Sequence, residues 1–193
     1  MIFVWALLAA VLVGLLRGGR VGRFADLDVR HWGLILLGFA GRFFLHWAGY
    51  AGWGWVAPWA AWIHAASYLC LLYALGANLR LPYFSLVWLG TLANFAVIAL
   101  NGARMPVARQ ALEATGQGAQ AAFLQGAGDY MHTLMAPATR LWWLGDWLYL
   151  PPPFPRPTAF SPGDALVALG LFLFVQRVMT GAEAGRWRLE RAG

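Results

Sequence analysis

Charge is scarce in this chain. Only 11% of its 193 residues are Asp, Glu, Lys or Arg, less than half of the roughly 25% usual in soluble domains, and a water-soluble globule is thereby excluded. Lysine is absent: all fourteen basic residues are Arg, and against eight acids they leave a formal charge of +6. A soluble domain with a pI near 10.2 would suggest nucleic acid. Here the arginines sit mostly between apolar segments, where they set orientation in a bilayer, and nucleic acid is not expected as a partner. The single cysteine, Cys70, lies in an apolar run; it excludes an intramolecular disulfide and any multi-Cys metal site. There is no internal repeat and no GxxxxGK[ST] phosphate loop, and Gly18-Gly19 lacks the strand and helix context of a nucleotide site.

Apolar residues are what the chain has in plenty, at 61% with a mean hydropathy of +0.58. Their runs give five candidate membrane helices, Met1 to Leu16, His31 to Gly49, Pro58 to Ala77, Tyr83 to Leu100 and Gly163 to Thr180. The first and last are short against the ~20 residues that a span requires at ~1.5 Å per residue. The predicted fold is an all-α polytopic membrane bundle of one domain, residues 1–193, with about five transmembrane helices and an outer interfacial segment. The first run resembles a signal-peptide core, but no basic residue precedes it and Arg17 and Arg20 follow it, the pattern of a retained span with its amino end outside.

Loop charge fixes the expected orientation. Arg17, Arg20, Arg23 and Arg30 crowd the first connection, whereas Tyr50 to Ala57 carries no charge, so the first loop is inside and the second outside. Arg80 and the tail residues Arg186, Arg188 and Arg191 then fall inside. Arg104, Arg109, Arg140 and Arg156 oppose this orientation, though long segments weigh less in the rule than short loops. Five spans put the amino terminus outside, the carboxyl terminus in the cytoplasm, and the insert 101–162 on the outer face of a plasma membrane. Within that insert, Met105 to Gln125 reads as a poorly amphipathic helix or surface loop. Tyr130 to Leu150, with Trp142, Trp143 and Trp147, reads as an interfacial or re-entrant helix, or else as a sixth span. Pro151 to Pro162 reads as an extended linker, because proline cannot continue a helix.

Polar residues inside apolar runs carry the functional signal. Arg42 and His46 are four residues apart and share a face of the second helix. An arginine at that depth costs about 2.5–3.5 kcal/mol on insertion scales, so it turns into the bundle, or else snorkels as a headgroup anchor. His64 on the third helix and Asn94 and Asn101 on the fourth lie at a similar level; packing histidines and interhelical amide glue are the plainer alternatives. Of the eight acids, Asp26, Asp28, Glu183 and Glu190 lie among inner arginines, and Glu113, Asp129, Asp146 and Asp164 lie on the outer side. Asp146, in Trp-Leu-Gly-Asp-Trp-Leu, and Asp164, in Ser-Pro-Gly-Asp-Ala-Leu, are the candidate catalytic pair. Two close carboxylates in a low-dielectric site cannot both ionise readily, so one holds a proton while the other activates water. Asn101, Arg104 and Arg140, with Arg42 and His46, are the candidate substrate-binding residues, since arginine binds anionic groups bidentately. Alternatively, Asp164 simply opens a helix at Ser161-Pro162-Gly163-Asp164, and Asp146 pairs with Arg140.

Two resemblances follow from these motifs. The strings Asn101-Gly-Ala-Arg-Met-Pro-Val107, Thr139-Arg140, Leu144-Gly-Asp146 and Phe160-Ser-Pro-Gly-Asp164 resemble an uncharacterised family of bacterial multi-pass membrane proteins, which implies no activity. Gly145-Asp146-Trp147-Leu148 and Phe160 to Asp164, with the aspartates 18 residues apart, resemble the two motifs of bacterial signal peptidase II. That resemblance implies an intramembrane aspartyl protease acting on lipid-modified substrates at the outer face. Ser161 stands where that family has Asn, and Tyr50 to Ala57 is too short for its extracytoplasmic sheet.

The expected function is an outer-leaflet aspartyl hydrolase acting on a lipid-linked or peptide substrate without a cofactor or metal. A non-catalytic membrane subunit or lipid- or solute-binding protein is the alternative. The third is a haem or metal protein using His46, His64 and His132.

Overall fold

The structure, a computed structural model, describes residues 2–125 and 129–181. Arg186, Arg188, Arg191, Glu183 and Glu190, placed on the inner side by the charge reading, lie outside the described residues.

The molecule is mostly helical. Each of the five apolar runs forms a helix: α1 (Ile2–Leu16), α2 (Trp32–Tyr50), α3 (Ala57–Ala77), α4 (Phe84–Leu100) and, last in the chain, α7 (Pro162–Thr180). Gly54–Ala77, which includes α3 and the 3₁₀ turn before it, and Pro162–Thr180 are long and apolar enough to cross a membrane; α1 and α4 are apolar but shorter. The outward faces are apolar too, with Leu8, Leu12, Phe43, Trp62 and Leu69 exposed. A helix that is apolar all round needs an apolar surrounding, whether protein or lipid.

In space the helices are not in chain order. The close pairs are α1 with α7, α7 with α4, α4 with α3 and α3 with α2, so the last helix is inserted between the first and the fourth. Glycine makes the α4–α7 crossing tight: a Cβ on Gly163 would stand 2.0 Å from Asn94 Oδ1, and one on Gly90 2.4 Å from the Gly163 carbonyl oxygen. At one end of the bundle Ala10, Phe84, Val87, Phe174 and Met179 form a buried core, where Arg17 donates to Gln176 Oε1 at 3.1 Å and Arg23 to the Met179 carbonyl.

The insert after α4 closes the other end as a small mixed cap. Its elements are β1 (Met105–Val107), α5 (Arg109–Ala114), α6 (Gly118–Gln125), β2 (His132–Leu134), a 3₁₀ turn at Trp142–Leu144, β3 (Leu148–Leu150) and β4 (Thr158–Phe160). β1 and β2 pair in parallel, Met105 opposite His132, and β3 and β4 pair antiparallel, Leu148 opposite Phe160.

Three expectations are corrected here. Met105 to Gln125 is a strand and two short helices, because its apolar residues Val107, Leu112, Ala121 and Leu124 build a core of their own. Tyr130 to Leu150 contains two strands and a 3₁₀ turn, hence no interfacial helix and no sixth span. The proline-rich stretch is the turn of a hairpin: prolines 151, 152, 153, 155 and 157 lie outside the paired residues, where their missing amide donors cost nothing.

Candidate acid–base site

The cap and the helices enclose a polar cavity of about 50 Å³ lined by Arg42, His64, Tyr68, Asn94, Asp146, Asp164, His132 and three apolar residues. A water molecule occupies roughly 10–15 Å³ measured in this way, so the cavity has room for a few.

Helix periodicity aims the polar groups inward. His64 and Tyr68 are one turn apart on α3 and their rings meet edge to face at 5.4 Å. Arg42 reaches across from α2, its guanidinium carbon 4.7 Å from the centre of the Tyr68 ring and Nη1 3.2 Å from His64 Nε2. His64 Nδ1 donates to the Ala103 carbonyl at 2.7 Å; Nε2 is therefore the lone-pair nitrogen that accepts from Arg42. Ala103 adopts φ 58° just after Gly102 at φ 67°, a left-handed pair that turns the chain off α4 and brings that carbonyl to the imidazole. Arg42 thus turns into the bundle.

Asp164 opens α7. Ser161 Oγ accepts from the Asp164 amide at 2.9 Å, and Asp164 Oδ2 accepts from the Ser161 amide at 3.3 Å, which completes a capping box. Its other oxygen accepts from Asn94 Nδ2 at 2.7 Å, while Asn94 Oδ1 accepts from Ser161 Oγ at 2.8 Å. The Asp164 carboxylate therefore caps α7 and also lines the cavity.

Asp146 is delivered by the cap. Its amide donates to the Pro106 carbonyl at 2.9 Å and its carbonyl accepts from Ala108 at 2.9 Å, which lays residue 146 alongside β1. Gly145 permits this approach, since a Cβ there would come within 2.7 Å of the Pro106 carbonyl oxygen. The Asp146 side chain faces the cavity only 9% exposed, and its Oδ1 has no hydrogen-bond partner among the described residues. Burial, then the neighbouring Asp164 charge, push its carboxyl up to about 7, against the opposing pull of His132 and Arg42.

The comparisons place this geometry in a family. The model of the "Family of unknown function (DUF5317)" matches residues 26–176, which include every residue lining the cavity. The chain belongs to DUF5317. A protein of Thermotoga maritima described as "Uncharacterized protein" is 27% identical over 117 residues, covering 61% of this chain and 64% of that protein's length. No solved structure matches.

Of the sequence-selected residues, this DUF5317 chain brings Asp146, Asp164 and Arg42 to one cavity. The others lie elsewhere. His46 is exposed on α2 and lines a separate groove with Tyr50 and Asp129. Asn101 is engaged with backbone, Nδ2 donating to Val97 and Arg140 carbonyls at 2.7 and 2.8 Å and Oδ1 accepting from the Arg140 amide at 3.0 Å; it ties the cap to the end of α4. Arg104 and Arg140 do not line the cavity. His64 has both ring nitrogens engaged and offers none to iron, and among the described residues no three His, Cys, Asp or Glu side chains are grouped to hold a metal.

The site also contains a pair that sequence reasoning left unjoined. Asp129 and His132 are three residues apart, His132 Nδ1 donating to Oδ2 and Oδ1 at 3.1 and 3.2 Å, while Oδ1 also accepts from the Met131 and His132 amides at 2.7 and 2.8 Å. Burial would push Asp129 up; the His132 hydrogen bond and charge, then the two amides, overcome it and hold the carboxyl at about 2. Burial would likewise push His132 down, yet the bond to Asp129 and the charges of Asp129 and Asp146 hold it above the usual histidine value. The Asp-x-x-His spacing in the insert between α4 and α7 was the available signal.

Proposed function

We propose that this protein is an intramembrane acid–base hydrolase of the outer leaflet, with Asp146 and Asp164 working on one water. The carrying observation is the unpartnered, buried Oδ1 of Asp146 facing a water-sized cavity that Asp164 also lines. A buried acid lacking a partner costs stability, and functional sites are where such a cost is retained. Asp164 takes a proton from the water while Asp146 gives its proton to the carbonyl oxygen of an ester or peptide bond as that water's oxygen attacks the carbonyl carbon; the tetrahedral intermediate then collapses, its C–O or C–N bond breaking as Asp164 passes its proton to the leaving oxygen or nitrogen and a hydroxyl of the intermediate returns a proton to Asp146. Arg42 stabilises the developing negative charge. The substrate class is a lipid-linked molecule or membrane peptide, in line with the resemblance of the two aspartate motifs to signal peptidase II.

The membrane reading is part of this proposal. Five spans, amino terminus outside and carboxyl terminus in the cytoplasm, put the cap and cavity at the outer interface of a plasma membrane. Two helices long and apolar enough to cross support it, as does the ring of exposed aromatics at the cap end, Trp47, Tyr50, Trp53, Trp55, Trp142 and Trp147, the residues that favour the headgroup level.

The test uses the full chain in nanodiscs with a panel of lipid-anchored peptides and phospholipid esters, products being read by mass spectrometry. One class should be cleaved, and Asp146→Asn and Asp164→Asn should each lower the rate about 10²–10⁴-fold with the helical spectrum retained. Cleavage undiminished in Asp146→Asn overturns the mechanism. A non-catalytic binding protein is the second reading, favoured by an open groove of about 510 Å³ beside the cavity, a volume typical of ligand sites.

A further inference from the structure

Among the described residues, one side chain, His132, lines both the cavity that contains Asp146 and the open groove, about 510 Å³ in volume, between α2 and α6. The cavity has room for water but not for bulk solvent, so its acid exchanges protons with solvent only through the cavity wall. The ring between the two spaces is held in that wall. Both Asp129 oxygens receive His132 Nδ1, and two backbone amides fix Asp129 in turn. With Nδ1 taken, the tautomer is set and Nε2 is the nitrogen left for exchange.

We propose, resting on the reading of Asp146 as the proton-carrying acid, that His132 is the proton relay between water in the groove and Asp146, with Asp129 as its positioning residue. In the recharging step the imidazolium gives its Nε2 proton to the Asp146 carboxylate. The ring becomes neutral, with Nδ1–H still on Asp129, and Asp146 becomes the neutral acid. A hydronium in the groove then returns a proton to Nε2 and leaves as water, so the Asp146 proton exchanges with groove water through the ring.

The charges around the ring suit both states. Asp129 on its own segment and Asp146 from the cap favour the imidazolium, whereas Arg42 on α2 opposes it. Across the cavity stand Asp164 of α7, with His64 and Tyr68 of α3, and in the groove His46 and Tyr50 of α2 and Tyr130. Two carboxylates on the ring's near sides against one guanidinium leave the proton bound but mobile.

The experiment needs no substrate. In the full chain in nanodiscs, the carboxyl C=O infrared band of Asp146, assigned by its loss in Asp146→Asn, is followed in time after a pH jump. His132→Ala should slow that band at least tenfold, and added imidazole, entering through the groove, should restore the rate in proportion to its concentration. His132→Gln, which fills the site without a titrating nitrogen, should be slow as well. Wild-type speed in either variant, or slowing that imidazole leaves unchanged, overturns the relay. Loss of hydrolysis in Asp146→Asn alongside wild-type proton exchange in His132→Ala removes the relay alone. Slow, rescuable exchange alongside undiminished hydrolysis in Asp146→Asn supports the relay and removes the hydrolase reading.

Discussion

Asp146 carries a pH signature of its own. Folding raises its carboxyl from 3.8 to about 7, so between those values the native state binds a proton that the unfolded chain has released. Stability therefore falls as pH rises through that window, and the loss is complete above it. Asp146→Asn should melt with the wild type at pH 4 and above it at pH 8; equal melting at both pH values would mean that Asp146 is not buried as an acid. Asp129 has the opposite sign: held at about 2, it stabilises the fold above the ordinary carboxyl value and stops doing so as pH falls through its folded value. His132, held high, stabilises below about 6.5, the ordinary histidine value, and this is lost as pH rises through its folded value. Asp129→Asn should thus lower the melting temperature at pH 5–6 and leave little effect near pH 2. Arg42, Asp146 and Asp164 were legible in the sequence because a charge in an apolar run is costly enough to demand a reason. The Asp129–His132 pair was fainter, because an Asp-x-x-His spacing in the insert is unremarkable until the chain brings the ring onto the carboxylate.

At the level of elements, long apolar runs announce themselves and short strands do not. The five helices begin and end within a residue or so of their expected bounds, since twenty residues of hydrophobicity leave little room for another assignment. The four strands have three residues each and are paired across gaps in the chain, a scale at which periodicity carries no information. Proline misled for a related reason: it bars helix, but a hairpin turn accepts it. The α4–α7 crossing is the element on which the site depends, since Asn94 and Asp164 meet across it. Gly163→Ala would drive a Cβ against Asn94 Oδ1 and, at 2.7 Å, the Gly90 carbonyl oxygen. It should cost about 1–3 kcal/mol, as overpacking does, read as a lower melting temperature in detergent, and it should also weaken hydrolysis by moving Asp164 off its amide. A variant with wild-type stability would show that the two backbones can part without strain.

For the whole molecule, the proposed topology is tested by the side of the membrane on which the cap is reached. In a Cys70→Ala background, Ala138→Cys in the cap should react with a membrane-impermeant maleimide in intact cells, and Gly22→Cys, in the opposite loop, only after permeabilisation; the reverse pattern would invert the molecule. Both positions are exposed.

The order of helices in space has a further consequence, for synthesis. α1 is made first, yet the helix it packs on, α7, is made last: Gln176 bonds the Ala10 carbonyl at 2.5 Å, and the Arg20 amide bonds the Met179 carbonyl at 2.9 Å. At translation rates of about 5–20 residues per second, α1 waits on the order of ten seconds or more with the Arg17 side chain lacking its Gln176 partner. During that interval the nascent chain has α1 in place without its neighbour, and α7 must enter between two elements already laid down. A ribosome that stops short of α7 therefore leaves both α1 and α4 open along the faces that α7 would have covered, so quality control has a surface by which to tell a chain lacking α7 from one that has it.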